Sequence, residues 1–218
     1  GAGELTQNVV DGFNLAYKPD RDHRVNHHGE GFFIAENGLL EAKIFDSPKS
    51  EKSIFKDNNI EVFAFSVPHG PIHGAVGYRI VAGNRSVIIS GDTDLMDDYS
   101  FANGVDVLIH EAILEQESAE ISRAAYRVGN DRMGVIFHDI QNYHANLMDY
   151  DDQPGLLSRL EGIDIGMLAL IHIIPDKDQP IVKRTLRRFK SKSSHKTVVV
   201  NDNMVMELPL NSDKIFIK

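Results

Sequence analysis

Four times in this chain a short apolar run stops at a histidine or an aspartate. Ser86-Val87-Ile88-Ile89 leads through Ser90 and Gly91 to Asp92, and Thr93-Asp94 come next. Phe65-Ser66-Val67 leads to Pro68-His69, Val107-Leu108-Ile109 to His110-Glu111, and Ala169-Leu170-Ile171 to His172. Runs of this length and composition read as buried strands. Residues just past a strand end sit at the mouth of a sheet, where ligands and metals are usually held. Gly91 lets the backbone turn there, and Thr93 or Asp94 can cap the next segment. Taken alone, Gly-Asp-Thr is a turn with an N-cap. With three strand-end histidines beside it, it reads as part of a hydrolytic metal site.

The ordered text V-P-H-G-P-I-H-G-A-V-G-Y-R-I, I-I-S-G-D-T, V-L-I-H-E-A and L-I-H-I-I-P resembles the metallo-β-lactamase-fold hydrolases. The nearest branches are the ribonuclease Z-like phosphodiesterases and the zinc-dependent alkyl- or arylsulfatase-like enzymes. The resemblance covers residues 29–210, and its specificity lies in the order of the four motifs. The family's H-x-H-x-D-H signature, which supplies most ligands of the first metal, does not occur in the 218 residues.

The resemblance implies an α/β fold, an αββα sandwich of which this chain supplies the later part, with the opening strands and their H-x-H-x-D-H loop expected upstream of Gly1. It implies His69 as a ligand of a first metal, Asp92 as the carboxylate bridging two metals, and His172 as a ligand of the second. The expected cofactors are two divalent ions of the zinc type. Imidazole and carboxylate ligands suit iron or manganese as well. Glu111 matches the acid that orients a further histidine, for which His144 is the candidate, donating a proton to the leaving oxygen; His138, in an apolar stretch, is read as packed. The implied reaction is cleavage of a phosphodiester or sulfate ester by metal-bound hydroxide, with a small-molecule ester as partner and a homodimer as the assembly. The competing reading is a non-catalytic or truncated relative, because three matched ligands cannot saturate two zinc ions.

Length and composition set bounds. A chain of 218 residues can bury one substantial core, and no internal repeat or linker divides it, so one domain, 1–218, is expected. No Cys is present, which excludes disulfides and thiolate metal sites but leaves the compartment open, with the cytoplasm favoured. No apolar run approaches the ~18 residues of a membrane span. The net charge of −9 argues against broad nucleic-acid binding. The basic residues Lys183, Arg184, Arg187, Arg188, Lys190, Lys192 and Lys196 could contact phosphates, but read first as the solvated face of an amphipathic helix.

Periodicity predicts a helix within residues 1–18, with Glu4 or Thr6 at its start, and a polar loop holding His27-His28. Adjacent side chains diverge, so this pair rarely binds one metal. Strands are predicted at 32–35 and 39–45 around the turn Glu36-Asn37-Gly38, then a loop over 47–59. Further strands are predicted at 60–67, 74–82, 86–90, 105–109 and 166–171. Helices are predicted at 116–128, 151–160 (Asp151 or Asp152 as cap, Pro154 in the first turn) and 179–190 with Ile181, Val182, Leu186 and Phe189 inward. A closing hairpin is expected from 196–200 and 204–208. His110 and His73 are left as support or surface.

Overall fold

A computed structural model describes every residue except Gly1, Ala2, Glu4 and Glu30. Glu4, expected at the first helix start, lies outside the described residues. The chain forms two compact units, Gly1–Ser47 and Pro48–Lys218.

The first unit holds α1 (Leu5–Ala16) and α2 (Lys18–His28), and then a 3-10 turn, Ala35–Gly38. Residues 18–28 are thus helical where a loop is expected. Pro19 in the first turn is compatible with helix, and Lys18–Asp22 and Arg24–Asp20 pair at i,i+4 spacing. The two strands expected around Glu36-Asn37-Gly38 are absent from the described residues. Phe32, Ile34, Leu39, Leu40 and Ile44 are exposed, so these apolar runs have no packed face to hold them in register.

The second unit is built on one seven-stranded sheet in chain order. Its strands are β1 (Lys52–Lys56), β2 (Glu61–Ser66), β3 (Val76–Ala82), β4 (Arg85–Ile89), β5 (Val105–Ile113), β6 (Ile165–Ile174) and β7 (Thr197–Val199). β1 to β4 pair antiparallel; β4 to β7 pair parallel. β1 lies inside the stretch read as a loop; only Ile54 along it is even half-buried, too weak an apolar pattern to announce a strand. Parallel strands are covered on both faces, and β5 and β6 accordingly bury Val107, Leu108, Met167, Leu168, Ala169 and Leu170 almost completely.

The connections are α3 (Glu115–Arg127), α4 (Asp131–Asp139) and α5 (Leu156–Arg159) between β5 and β6, and α6 (Pro180–Lys192) between β6 and β7. α6 packs Val182, Leu186 and Phe189 into the main core with Ile88, Leu108, Leu147 and Leu156. Ile181, expected inward, is exposed. The helix expected over 151–160 is only the single turn of α5: Gly155, not an aspartate, is its N-cap residue, and Asp151 takes a left-handed φ of 47°. The opposite sheet face carries Val107, Met167 and Ala169 under the C-terminal segment around Met206, Leu208 and Ile215. That segment is not a hairpin partner of β7. β7 joins β6, and β8 (Met206–Glu207) pairs with β9 (Phe216–Ile217) instead.

β5 runs four residues past its expected end, so His110 and Glu111 lie inside the strand. His110 is fully buried: Nδ1 donates to the Glu111 carbonyl at 2.5 Å and Nε2 accepts the Tyr99 hydroxyl at 3.0 Å. That tautomer is neutral.

Two features of β5 and β6 bear on stability. Gly166 on β6 lies against β5, and an added Cβ would stand 2.7 Å from the Asp106 carbonyl oxygen. Gly166→Ala should cost about 1–3 kcal/mol by overpacking, read as a lower urea midpoint; an unchanged midpoint would refute the tight β5–β6 approach. Burial pushes the His110 pKa down to about 4 against the hydrogen bond to Glu111. The unfolded chain therefore binds the extra proton between the ordinary value near 6.5 and about 4. Stability is present above that window and lost as pH falls through it, by roughly 2 kcal/mol from about pH 7 to pH 4.5. His110→Asn should lose measurably less over the same range in urea titrations.

Candidate metal centre

The site lies at the carboxyl ends of the parallel strands β4, β5 and β6, where side chains from separate connections converge. Asp92 comes after β4 through Gly91, whose φ of 68° gives the sharp exit and whose Cα leaves only 3.1 Å between an added Cβ and the Val76 carbonyl. The same loop is tied to the β2–β3 connection. Asp94 N–H donates to the Pro68 carbonyl at 2.6 Å, and the Thr93 hydroxyl donates to it at 3.0 Å. His69 is thereby held close to the Asp92 loop.

Glu111 is the hub. Its side chain has no exposed surface. Its carboxylate accepts the Thr93 backbone N–H and His144 Nδ1–H at 2.7 and 2.8 Å. It also lies 3.6 Å from His172 Nδ1. His144 reaches it because the 145–147 segment joins the end of β5. Ile113 N–H donates to the Ala145 carbonyl at 2.8 Å, and Leu147 N–H donates to the Ile113 carbonyl at 2.8 Å. His69 Nδ1 donates to the Tyr143 carbonyl at 2.9 Å, which leaves Nε2 free. The His144 ring stands between those of His69 and His172, with centroids 5.2 and 5.4 Å away.

His172 is placed by a β-bulge. Along the β5–β6 ladder, Glu111 faces Ile171 and Ala112 faces Ile173, so His172 is the extra residue. Its φ is 45°, a left-handed conformation that costs a non-glycine residue on the order of 1–2 kcal/mol. Bulges of this kind re-aim a side chain. Here the outcome is His172 Nδ1 at 3.2 Å from Asp92 Oδ1.

Burial disfavours the charged form of His144, but the hydrogen bond and charge of Glu111, with Asp92 and Asp94, outweigh it, and its pKa rises above the usual histidine value. Asp94 is raised as well, because burial outweighs the hydrogen bond from Leu95 N–H and the charges of His144 and His69.

Two groups of donors lie within 4.8 Å of one another: His69, Glu111 and His144, and Asp92, Glu111 and His172. The chemistry fits a metal of the zinc type. Tetrahedral ligation at 2.0–2.1 Å separates neighbouring ligand atoms by about 3.3 Å, and the 3.2 Å contact between His172 and Asp92 matches that edge. Glu111 is common to both groups, but its oxygens already serve Thr93 and His144. It is better suited to orient the histidines than to ligate.

All five residues singled out from sequence, His69, Asp92, Glu111, His144 and His172, are therefore brought together. His138 is not: it is exposed on α4 beside Asp139. The expected packing fails because Gly134 is the only buried residue of that helix. His73 is exposed, and neither it nor His27 or His28 enters a donor group among the described residues. Asp94, expected only as a cap, adds its charge to the His144 surroundings. Its signal in the sequence is its position two residues after Asp92, on the same loop.

No family model matches the chain. Among curated proteins it is 20% identical over 171 residues to a ribonuclease Z of Mycobacterium tuberculosis (strain ATCC 25177 / H37Ra), covering 78% of this chain and 54% of that protein. Across the curated relatives the chain spans from 54% to 66% of their length. Among solved structures it is similar to zinc-bound PqqB from Methylobacterium extorquens at 18% identity, with a TM-score of 0.49, over 81% of this chain and 56% of that one. It is also similar to the metallo-β-lactamase fold protein YhfI from Bacillus subtilis at 14% identity, with a TM-score of 0.48, over 84% and 60%. The chain is thus similar to ribonuclease Z in sequence and to metallo-β-lactamase fold proteins in fold, with a mixed sheet that gathers the four motifs on one rim.

Proposed function

We propose that the chain carries the active-site part of a metal-dependent hydrolase acting on a phosphodiester or sulfate ester. One observation carries the reading: the buried Glu111–His144 pair stands beside the Asp92–His172 pair, whose donor atoms are at coordination spacing. The curated relatives named ribonuclease Z favour the phosphodiester.

Asp92, His172 and His69 would hold the ions. A pair of divalent ions supplies Lewis acidity at the ester oxygen and a water acidic enough to ionise near neutral pH. Glu111 fixes the His144 tautomer by accepting from Nδ1, and so aims Nε2 into the cleft. The hydrogen bond and charge of Glu111 favour the protonated form of His144 over burial, which suits a proton donor to the leaving oxygen. His69 is oriented by the Tyr143 carbonyl, which leaves Nε2 as its ligating atom.

A second reading has its own observation. H-x-H-x-D-H does not occur in the sequence, and the residues gathered here are too few to complete two tetrahedral ions. On that reading the chain is a non-catalytic or truncated relative that keeps the fold without a complete metal site.

Metal content per chain, measured by elemental analysis after dialysis against zinc, separates the two. Bound zinc together with zinc-dependent hydrolysis of bis(p-nitrophenyl) phosphate is expected, and Asp92→Asn should lose both. His144→Ala should keep the metal and lower kcat about 10²–10⁴-fold. Glu111→Gln should act in the same direction by about 10–100-fold. No bound metal and no hydrolysis would leave the non-catalytic reading standing.

A further inference from the structure

The basic residues of α6 are all exposed, as expected of a solvated helix face, but three of them share one cavity. Lys183, Arg187 and Lys190, spaced at helical i,i+3 and i,i+4 steps, line one cavity of about 260 Å³ with Lys177, Asp178 and Asn201. Its floor is apolar, from Leu186 and Val199. Four cations face a single carboxylate in a chain whose net charge is −9. Asp178 is taken by Lys183 at 3.0 Å, and Lys177 Nζ donates to Asn201 Oδ1 at 2.8 Å. Arg187 and Lys190 have no ion pair among the described residues.

The place of this cavity is as informative as its charge. It opens at the carboxyl ends of β6 and β7, the same rim as the metal centre. A second cavity of about 460 Å³ adjoins both, walled by apolar Phe137, Ile173 and Pro175, by His172 and Lys177, and by the carboxylates Asp176 and Asp202. His172 borders it on the metal side, and Lys177 is common to both cavities. His172 and Lys177 therefore link the candidate metal centre to the basic cavity through a lining that is largely apolar but carries Asp176 and Asp202.

We propose that the basic cavity is a phosphate subsite. It takes a phosphate group of the substrate other than the one cleaved, with the intervening apolar body lying against Phe137, Ile173 and Pro175. Its role in substrate selection rests on the hydrolase reading above; its anion binding does not. Arg187 supplies a planar fork for two phosphate oxygens. Lys190 and Lys177 add point charges, and Asn201 keeps Lys177 aimed into the cavity. Such a subsite selects esters bearing at least two phosphates over esters with neutral substituents.

The probe for binding is inorganic pyrophosphate, titrated calorimetrically into the wild-type chain and into Arg187→Gln/Lys190→Gln. Both side chains are exposed, so the double variant should melt like the wild type. Binding should weaken about tenfold or more in the variant and decline with added salt. Equal binding to both proteins would overturn the subsite, as would none to either. The role in catalysis is read with two esters. For thymidine 5′-phosphate 3′-(p-nitrophenyl phosphate), KM should rise about tenfold in the variant with kcat held. For bis(p-nitrophenyl) phosphate, KM should stay unchanged. Equal effects on the two esters, or no effect on either, would reduce the cavity to a site for free phosphate. If the wild type cleaves neither ester, the hydrolase reading fails, while the pyrophosphate titration still decides the cavity.

Discussion

A carboxylate with no access to water has to be answered by donors, because an uncompensated buried charge costs several kcal/mol. Glu111 meets that demand with the Thr93 N–H and His144 Nδ1, with His172 nearby. Each partner arrives on a different connection: the loop after β4, the segment that returns to β5, and the end of β6. One buried charge in the middle of the sheet thus specifies where three loops must end. The backbone bonds of the 93–94 and 145–147 segments bring the loops to the rim, and the charge fixes how their side chains meet there.

The rim also separates two electrical environments. Near β4 and β5 the carboxylates Asp92, Asp94 and Glu111 surround His144 and favour its protonated form. Beyond β6, past Asp176 and Asp202, the cavity against α6 holds three lysines and an arginine to one carboxylate, Asp178. A cleft with low-dielectric walls sharpens such a gradient. An elongated anion would be oriented along it before any contact is made. The direction is set by where the strands end, not by the overall charge of the chain.

Legibility tracks burial. The strands that carry the site are readable because they are fully apolar and stop at polar residues: Val87 to Ile89, Val107 to Ile109 and Ala169 to Ile171. The ligand-type residues are readable because they stand directly after those runs. β1 is not, since Lys52 to Lys56 is an edge strand with little to bury. The apolar residues of 32–45 mislead for the opposite reason: their pattern suits a strand, but the described residues give it no face to pack on. His138 sits among apolar letters on a helix that buries only a glycine. Periodicity reports which face could be covered, and only the fold decides whether it is. The anion cavity is invisible in the same way. Lys183, Arg187 and Lys190 look like any basic helix face until Lys177 and Asn201 close the other side.

The bulge at His172 sets the molecule's stability against its site. A glycine there would relieve the left-handed φ, and deleting the residue would restore an unbroken parallel ladder between β5 and β6. Both changes tidy the backbone, and both remove the imidazole beside Asp92. Selection for thermal endurance alone would therefore drift toward a quieter strand and a silent rim. An awkward residue at this one position is the mark of a demand other than folding.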